Sequence, residues 1–239
     1  MNFKNEIKAI FFDLDGTLLP MDQDYFIKQY FKGISTYAAP YGIDPKLLID
    51  ATLAGTYDMI KNDGTRTNMQ VFWDRFFACI GEEREELIGI LDEYYIGGFK
   101  LLKEFTGENL LAKDMIAAAH KNGRKVVLAT NPVFPMAAQL ERISWLGLGE
   151  SDFDLITGYE NSSFCKPNPK YFFEICEKIG VAPENCFMIG NDEGDDMRGA
   201  MAAGMDSFLV TDHRLMCDNF VWMGERGSFE QALRIVERI

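Results

Sequence analysis

The sharpest chemical signal in this 239-residue chain is Asp13-Leu14-Asp15-Gly16-Thr17, which follows the mainly apolar residues 7–12 without a break. Two carboxylates this close repel each other, so keeping both ionised requires a cation or strong hydrogen-bond donors beside them. A calcium loop of the EF-hand type needs a third acidic or Asn ligand ahead of its glycine. Gly16 follows Asp15 at once, so that reading fails. The plainer alternative is a strand-to-turn transition rich in Asp and Gly. It loses ground because complementary polar residues stand at the other predicted strand ends or their loops. These are Thr130 and Asn131, then Lys166, then Gly190-Asn191-Asp192 with Asp195 and Asp196 beyond.

The elements that must position these groups change texture along the chain. Residues 7–13 are short and apolar and end abruptly in acid and glycine, which predicts a buried strand. Between about 22 and 99 only helical periodicity is present. Met69, Phe72, Trp73, Phe76, Phe77 and Ile80 recur at helical spacing, an apolar stripe expected to form core and not a cofactor surface. Thr67 and Gln70 predict a capping box at its start, and Asp44-Pro45 starts another helix. After about Asn109, short apolar strands (125–130, 155–157, 186–189, 207–210) alternate with helices. The helices cover 110–121, a segment ending near Gly147, Asn168-Pro169 to Gly180, a segment ending at Gly204, and one from about Phe229. This alternation predicts an α/β fold, a Rossmann-like parallel sheet covered on both faces. The predicted core comprises residues 1–19 and 106–239, with a helical insertion over 20–105. Ligands of such sheets bind at the carboxyl ends of the strands, where the polar residues fall.

The four motifs in this order resemble those of the haloacid dehalogenase (HAD) superfamily, in its phosphatase-like branch with a helical cap inserted after the first motif. The resemblance covers essentially the whole chain. Asp13-x-Asp15-Gly16-Thr17 matches the first motif, Thr130 the second, Lys166 in Lys166-Pro167 the third, and Gly190-Asn191-Asp192 with Asp196 the fourth. The resemblance implies that Asp13 is a nucleophile forming an aspartyl phosphate. It makes Asp15 the general acid and later the base. Other residues occupy the place of Asp15 in the dehalogenases, the phosphonate hydrolase and the ion-pumping ATPases, so this Asp favours phosphate esters. An anionic nucleophile and a phosphoryl group repel by about 4 kcal/mol at ~4 Å in a dielectric near 20. The resemblance supplies the remedy: Mg²⁺ held by Asp13, Asp192 and the backbone carbonyl of Asp15. Lys166, Thr130 and Asn131 are then phosphate-binding, Lys166 and Thr130 also catalytic, and Asp196 orients metal waters or Lys166. Many relatives read Gly-Asp at the fourth motif. The ligand here is therefore Asp192, favoured as a carboxylate, or Asn191 with Asp192 nearby. The implied activity is Mg²⁺-dependent removal of phosphate from a small phosphorylated metabolite. A phosphosugar mutase and a non-catalytic binding or regulatory module are the alternatives.

Composition narrows the partners. Thirty-seven acidic against 24 basic residues leave a net charge of -13 and a pI near 4.6, which disfavours nucleic acid and anionic membranes. The longest uncharged run, residues 126–140, spans 15 residues, below the ~18 of a membrane span. Lys4, Glu6 and Lys8 leave no signal-peptide core. Five cysteines without a C-x-x-C pair predict neither a disulfide framework nor a zinc site, as suits a reducing cytoplasm. Residues 82–86 read as a solvated acidic helix face, and Glu193 and Asp195 as exposed acids near a helix N-terminus. Arg66, just ahead of the capped helix, is a candidate contact to the distal part of a substrate, with a solvated loop residue as the alternative. His120 and His213 have no metal-ligand partners in sequence. Cys165 stands beside Lys166 without a base, and Asn161 opens a glycosylation sequon of no consequence in the cytosol. Neither G-x-G-x-x-G nor a P-loop occurs.

Overall fold

The computed structural model describes residues 3, 5–81 and 85–239. Strand β1 (Ala9–Phe12) is buried on both faces, as its uninterrupted Ala-Ile-Phe-Phe sequence requires. It lies at the centre of a six-stranded sheet with β2 (Lys125–Leu128), β3 (Leu155–Ile156), β4 (Cys186–Gly190), β5 (Asp206–Val210) and β6 (Arg226–Gly227). All pairings are parallel and the strand order is β3-β2-β1-β4-β5-β6. The two-residue β6 escapes sequence reading because its Arg-Gly sequence carries no apolar signal.

Side-chain alternation sorts the core into two layers. Ile10, Phe12, Val126, Leu128, Phe187 and Ile189 face one side, where α5 (Ala112–Ala119), α6 (Met136–Trp145) and α9 (Phe229–Val236) contribute Met115, Ile143 and Leu233. Ala9, Phe11, Val127 and Met188 face the other, against Tyr171 and Phe172 of α7 (Pro169–Ile179) and Ala200 of α8 (Arg198–Ala202). The helix ends obey local chemistry. Asn168 caps α7, which stops at Gly180 in the left-handed region with φ 69°. Ser228 and Gln231 form a capping box on α9.

The described residues of the insertion are mainly helical: α1 (Gln23–Ala38), α2 (Pro45–Ile60), α3 (Asn68–Ile80) and α4 (Glu85–Glu93), then tighter and wider turns from Tyr94 to Phe105. Asp44 caps α2, and the Thr67–Gln70 capping box opens α3. Phe72 and Phe76 are buried, with Met69, Trp73, Phe77 and Ile80 partly so. The insertion shares one apolar cluster with the first sheet face, since Phe26, Leu48, Met59 and Phe76 belong to it together with Ile10 and Phe12. Polar bonds add to this seam. The Asn68 and Met69 amides donate to the carbonyls of Ser162 and Tyr159, each at 2.8 Å, and the buried Asn68 side chain donates to Pro132 O at 3.2 Å. Of the acidic run at 82–86, residues 82–84 lie outside the described residues, and Glu86 is exposed.

Candidate active site

The site forms where the strand order reverses, between β1 and β4, the place at which open parallel sheets bind ligands. β1 delivers Asp13 at its carboxyl end, and the Asp13 amide bonds to Ile189 O of β4 at 2.9 Å. The chain then turns through Gly16, whose φ of 83° suits glycine. A Cβ there would also collide with the Asn191 amide. β2 leads to Thr130, whose carbonyl accepts from the hydroxyls of Thr157 and Tyr171, each at 2.8 Å. Its own hydroxyl makes no hydrogen bond among the described residues. Lys166 precedes a cis Lys166–Pro167 peptide. β4 ends at Gly190, where a Cβ would strike the carboxylate of Asp196, so the absence of a side chain lets that acid approach the sheet.

One cavity of about 170 Å³ is lined by Asp13, Asp15, Thr130, Asn131, Lys166, Asn191, Asp192, Asp195 and Asp196, together with Gln23, Phe26, Ile27, Val133 and Phe134. The buried Lys166 ammonium donates to Asp13 Oδ1 at 2.8 Å and to Asp196 Oδ1 at 2.6 Å. Burial alone would lower its pKa, but the two carboxylates outweigh that and hold it well above the ordinary lysine value. Asp196 Oδ2 accepts from the Asp192 amide at 3.0 Å. Thus a single buried carboxylate fixes both the lysine and the fourth-motif turn. Asp192 Oδ1 accepts from the amides of Gly194 and Asp195 at 2.7 and 2.9 Å. Its Oδ2 has no hydrogen-bond partner among the described residues. The Asn191 side chain is engaged at both ends, accepting from Thr17 Oγ1 at 3.0 Å and donating to His213 O at 2.6 Å.

Asp15 is held by a residue that sequence reading missed. Arg142 of α6 is fully buried and donates to Asp15 Oδ2 and to Gln139 Oε1, while its guanidinium lies 4.8 Å from the centre of the Phe134 ring. The other Asp15 oxygen, Oδ1, is buried without a partner. Burial raises the pKa of this carboxyl, Arg142 opposes the rise, and Asp13 adds to it. The clue in the sequence was positional. Ala138, Gln139, Arg142 and Ile143 form the buried face of α6, so a charged side chain occupies an apolar stripe, where it requires a partner.

Two expectations are corrected. Glu193 is not an exposed acid: it is 1% exposed and accepts from Arg214 Nε at 2.9 Å. Asp195 is not free in solvent either. It lines the cavity and accepts from Asn131 Nδ2 at 3.1 Å, and burial with the charge of Asp192 pushes it up to about 6. Both side chains fold inward because the chain makes a wide turn over Glu193–Met197 before α8. Arg66 is not brought to this cavity: it is exposed and pairs with Asp74 of α3. His120 caps α5, its Nε2 3.0 Å from Asp152 O. Cys165 is buried, with its thiol pushed up to about 12 by burial, as befits an inert thiol.

The donor set suits a hard divalent ion. Asp13, Asp15, Asp192, Asp195 and Asp196 face two cations, Lys166 and Arg142, leaving acidic charge in excess. Among the described residues no three Asp, Glu, His or Cys side chains converge as a self-sufficient metal site. Carboxylate oxygens with retained water match the preferences of Mg²⁺.

A family profile for haloacid dehalogenase-like hydrolases matches residues 7–204. A glyceraldehyde 3-phosphate phosphatase of Methanothermobacter thermautotrophicus is 28% identical over 210 residues, 85% of either chain. A phosphoglycolate phosphatase of Aliivibrio fischeri is 26% identical over 211 residues, 86% of this chain and 85% of its own. The crystal structure of a HAD phosphatase from Thermococcus onnurineus superposes with a TM-score of 0.59 at 20% identity, covering 98% of this chain and 100% of that one. The chain belongs to the haloacid dehalogenase-like hydrolases. Within them it is a phosphatase-like member with a helical cap inserted in a Rossmann-like core.

Proposed function

We propose that the protein is a Mg²⁺-dependent phosphatase that works through an aspartyl phosphate on Asp13, with residues 20–105 as the cap. The observation that carries this reading is the meeting of Asp13, Asp15, Thr130, Lys166 and Asp192 in one cavity. A module that only binds has no use for the whole set.

Asp13, Asp192 and the Asp15 carbonyl would hold the metal, which supplies positive charge to the phosphoryl oxygens. Asp192 is preferred to Asn191, whose amide is engaged by Thr17 and His213. Lys166 adds fixed positive charge 2.8 Å from Asp13 Oδ1, and the Thr130 hydroxyl and Asn131 amide are donors for the equatorial oxygens. Asp13 attacks phosphorus, and the ester oxygen leaves with a proton from Asp15 Oδ1, the oxygen without a partner. Asp15 then takes a proton from the water that attacks the acyl phosphate. Arg142 positions Asp15 by occupying its other oxygen. Cap closure excludes bulk water during the first step.

The test is release of inorganic phosphate from p-nitrophenyl phosphate with Mg²⁺ and with excess EDTA, by wild type and Asp13→Asn. Turnover confined to wild type with Mg²⁺ is the expected result. Turnover retained in Asp13→Asn would remove the nucleophile, and isomerisation of a phosphosugar without phosphate release would favour the mutase.

A further inference from the structure

A second cavity of about 170 Å³ adjoins the catalytic one, and the two share Ile27, Val133 and Phe134 as lining residues. Its wall is built by the cap and the β2–α6 loop, chiefly Tyr30, Leu53, Phe72, Trp73, Leu91 and Tyr95. Four of its hydroxyls are already engaged. Thr52 and Thr56 hydroxyls donate to carbonyls of their own helix at 2.8 and 2.9 Å, and the Tyr30 and Tyr95 hydroxyls bond to each other at 2.7 Å. Among the described residues no Lys, Arg or His lines this cavity, and Lys166 is the one such cation lining the catalytic cavity.

Resting on the phosphatase reading above, we infer that this cavity receives the leaving group, and that the substrates are phosphate monoesters of an uncharged alkyl or aryl alcohol. The phosphoryl group takes the single Lys166 and the metal. A second anion on the substrate, such as a carboxylate or another phosphate, would meet apolar and aromatic side chains with no Lys, Arg or His among the described lining residues, and burying an unpaired charge is costly. An apolar group gains from burial there. The size is right as well: an apolar cavity of about 150 Å³ takes a benzene-sized guest. The stripe residues Phe72 and Trp73 therefore do more than fill the cap, since their inner edges form a specificity wall.

The experiment compares kcat/KM for ethyl, butyl and hexyl phosphate, whose alcohols leave with similar difficulty, with phosphoglycolate as the charged competitor. Acetyl phosphate serves as a small reference, and each is run on wild type, Asp13→Asn and Thr56→Phe. Burial of each methylene predicts a gain of about fourfold, so hexyl phosphate should exceed ethyl by roughly two orders of magnitude, with phosphoglycolate the poorest ester. Thr56→Phe, which fills the cavity, should bring the hexyl-to-ethyl ratio close to one while its circular dichroism and thermal melt confirm a folded chain. A ratio near one in wild type, or phosphoglycolate as the best ester, would overturn the substrate class and leave the phosphatase reading standing. A ratio unchanged in folded Thr56→Phe would overturn the assignment of this cavity. No Asp13-dependent turnover of any compound, acetyl phosphate included, would overturn the phosphatase reading itself.

Discussion

Asp15 and Arg142 show how much one residue's place can decide. On the proposed mechanism, an ester whose alkoxide leaves poorly needs a proton from Asp15, whereas p-nitrophenolate leaves without one. Arg142→Met frees the Asp15 carboxylate from its anchor. It is therefore expected to lower kcat on an alkyl phosphate by roughly 10²–10⁴-fold, the range of general acid catalysis, and to affect p-nitrophenyl phosphate far less. Steady-state kinetics on the two esters measure this directly. Equal losses on both would mean that Arg142 supports the fold and not the acid. The convergence of Asp13, Lys166 and Asp192 on one cavity was legible because each stands at a strand end or in the loop before a helix, in a short, ordered motif. Arg142 was not, because no motif surrounds it and its partner lies 127 residues away in sequence. Glu193 was misjudged for the same reason, since its partner Arg214 is set by a later loop.

At the scale of elements, periodicity and capping residues reveal most of the framework. The apolar runs at β1, β2, β4 and β5 and the caps at Asp44, Thr67, Asn168 and Ser228 sit where local chemistry puts them. What local chemistry cannot supply is the seam between cap and core, because it depends on which loop meets which helix. Asn68 is the clearest case: an ordinary polar residue in sequence, fully buried in the fold and bonded to the loops carrying Pro132 and Cys165. Asn68→Ala should leave those acceptors unsatisfied and cost about 1–3 kcal/mol, read as a lower urea midpoint at unchanged m-value. A midpoint equal to wild type would show that the apolar cluster alone holds the seam.

For the whole molecule, charge and topology act together. The strand order is shared with dinucleotide-binding folds, yet the acids at its switch point suit a metal and phosphate, so the site and not the fold identifies the chemistry. No helix among the described residues is long and apolar enough to cross a membrane. A chain carrying -13 repels an anionic ester at long range. Raising ionic strength toward ~0.15 M, where the screening length falls to about 8 Å, should therefore raise kcat/KM at fixed Mg²⁺. A fall would locate a local attractive field that outweighs the net charge. The central claim, that phosphate passes through Asp13, is tested most directly by trapping the intermediate. The enzyme is quenched during turnover with hydroxylamine, which converts an acyl phosphate to a hydroxamate, and its peptides are mapped by mass spectrometry. The account predicts a hydroxamate on Asp13 with Mg²⁺, absent with EDTA and in Asp13→Asn. Vigorous turnover with no modification at Asp13, or a hydroxamate on another carboxylate, would contradict it.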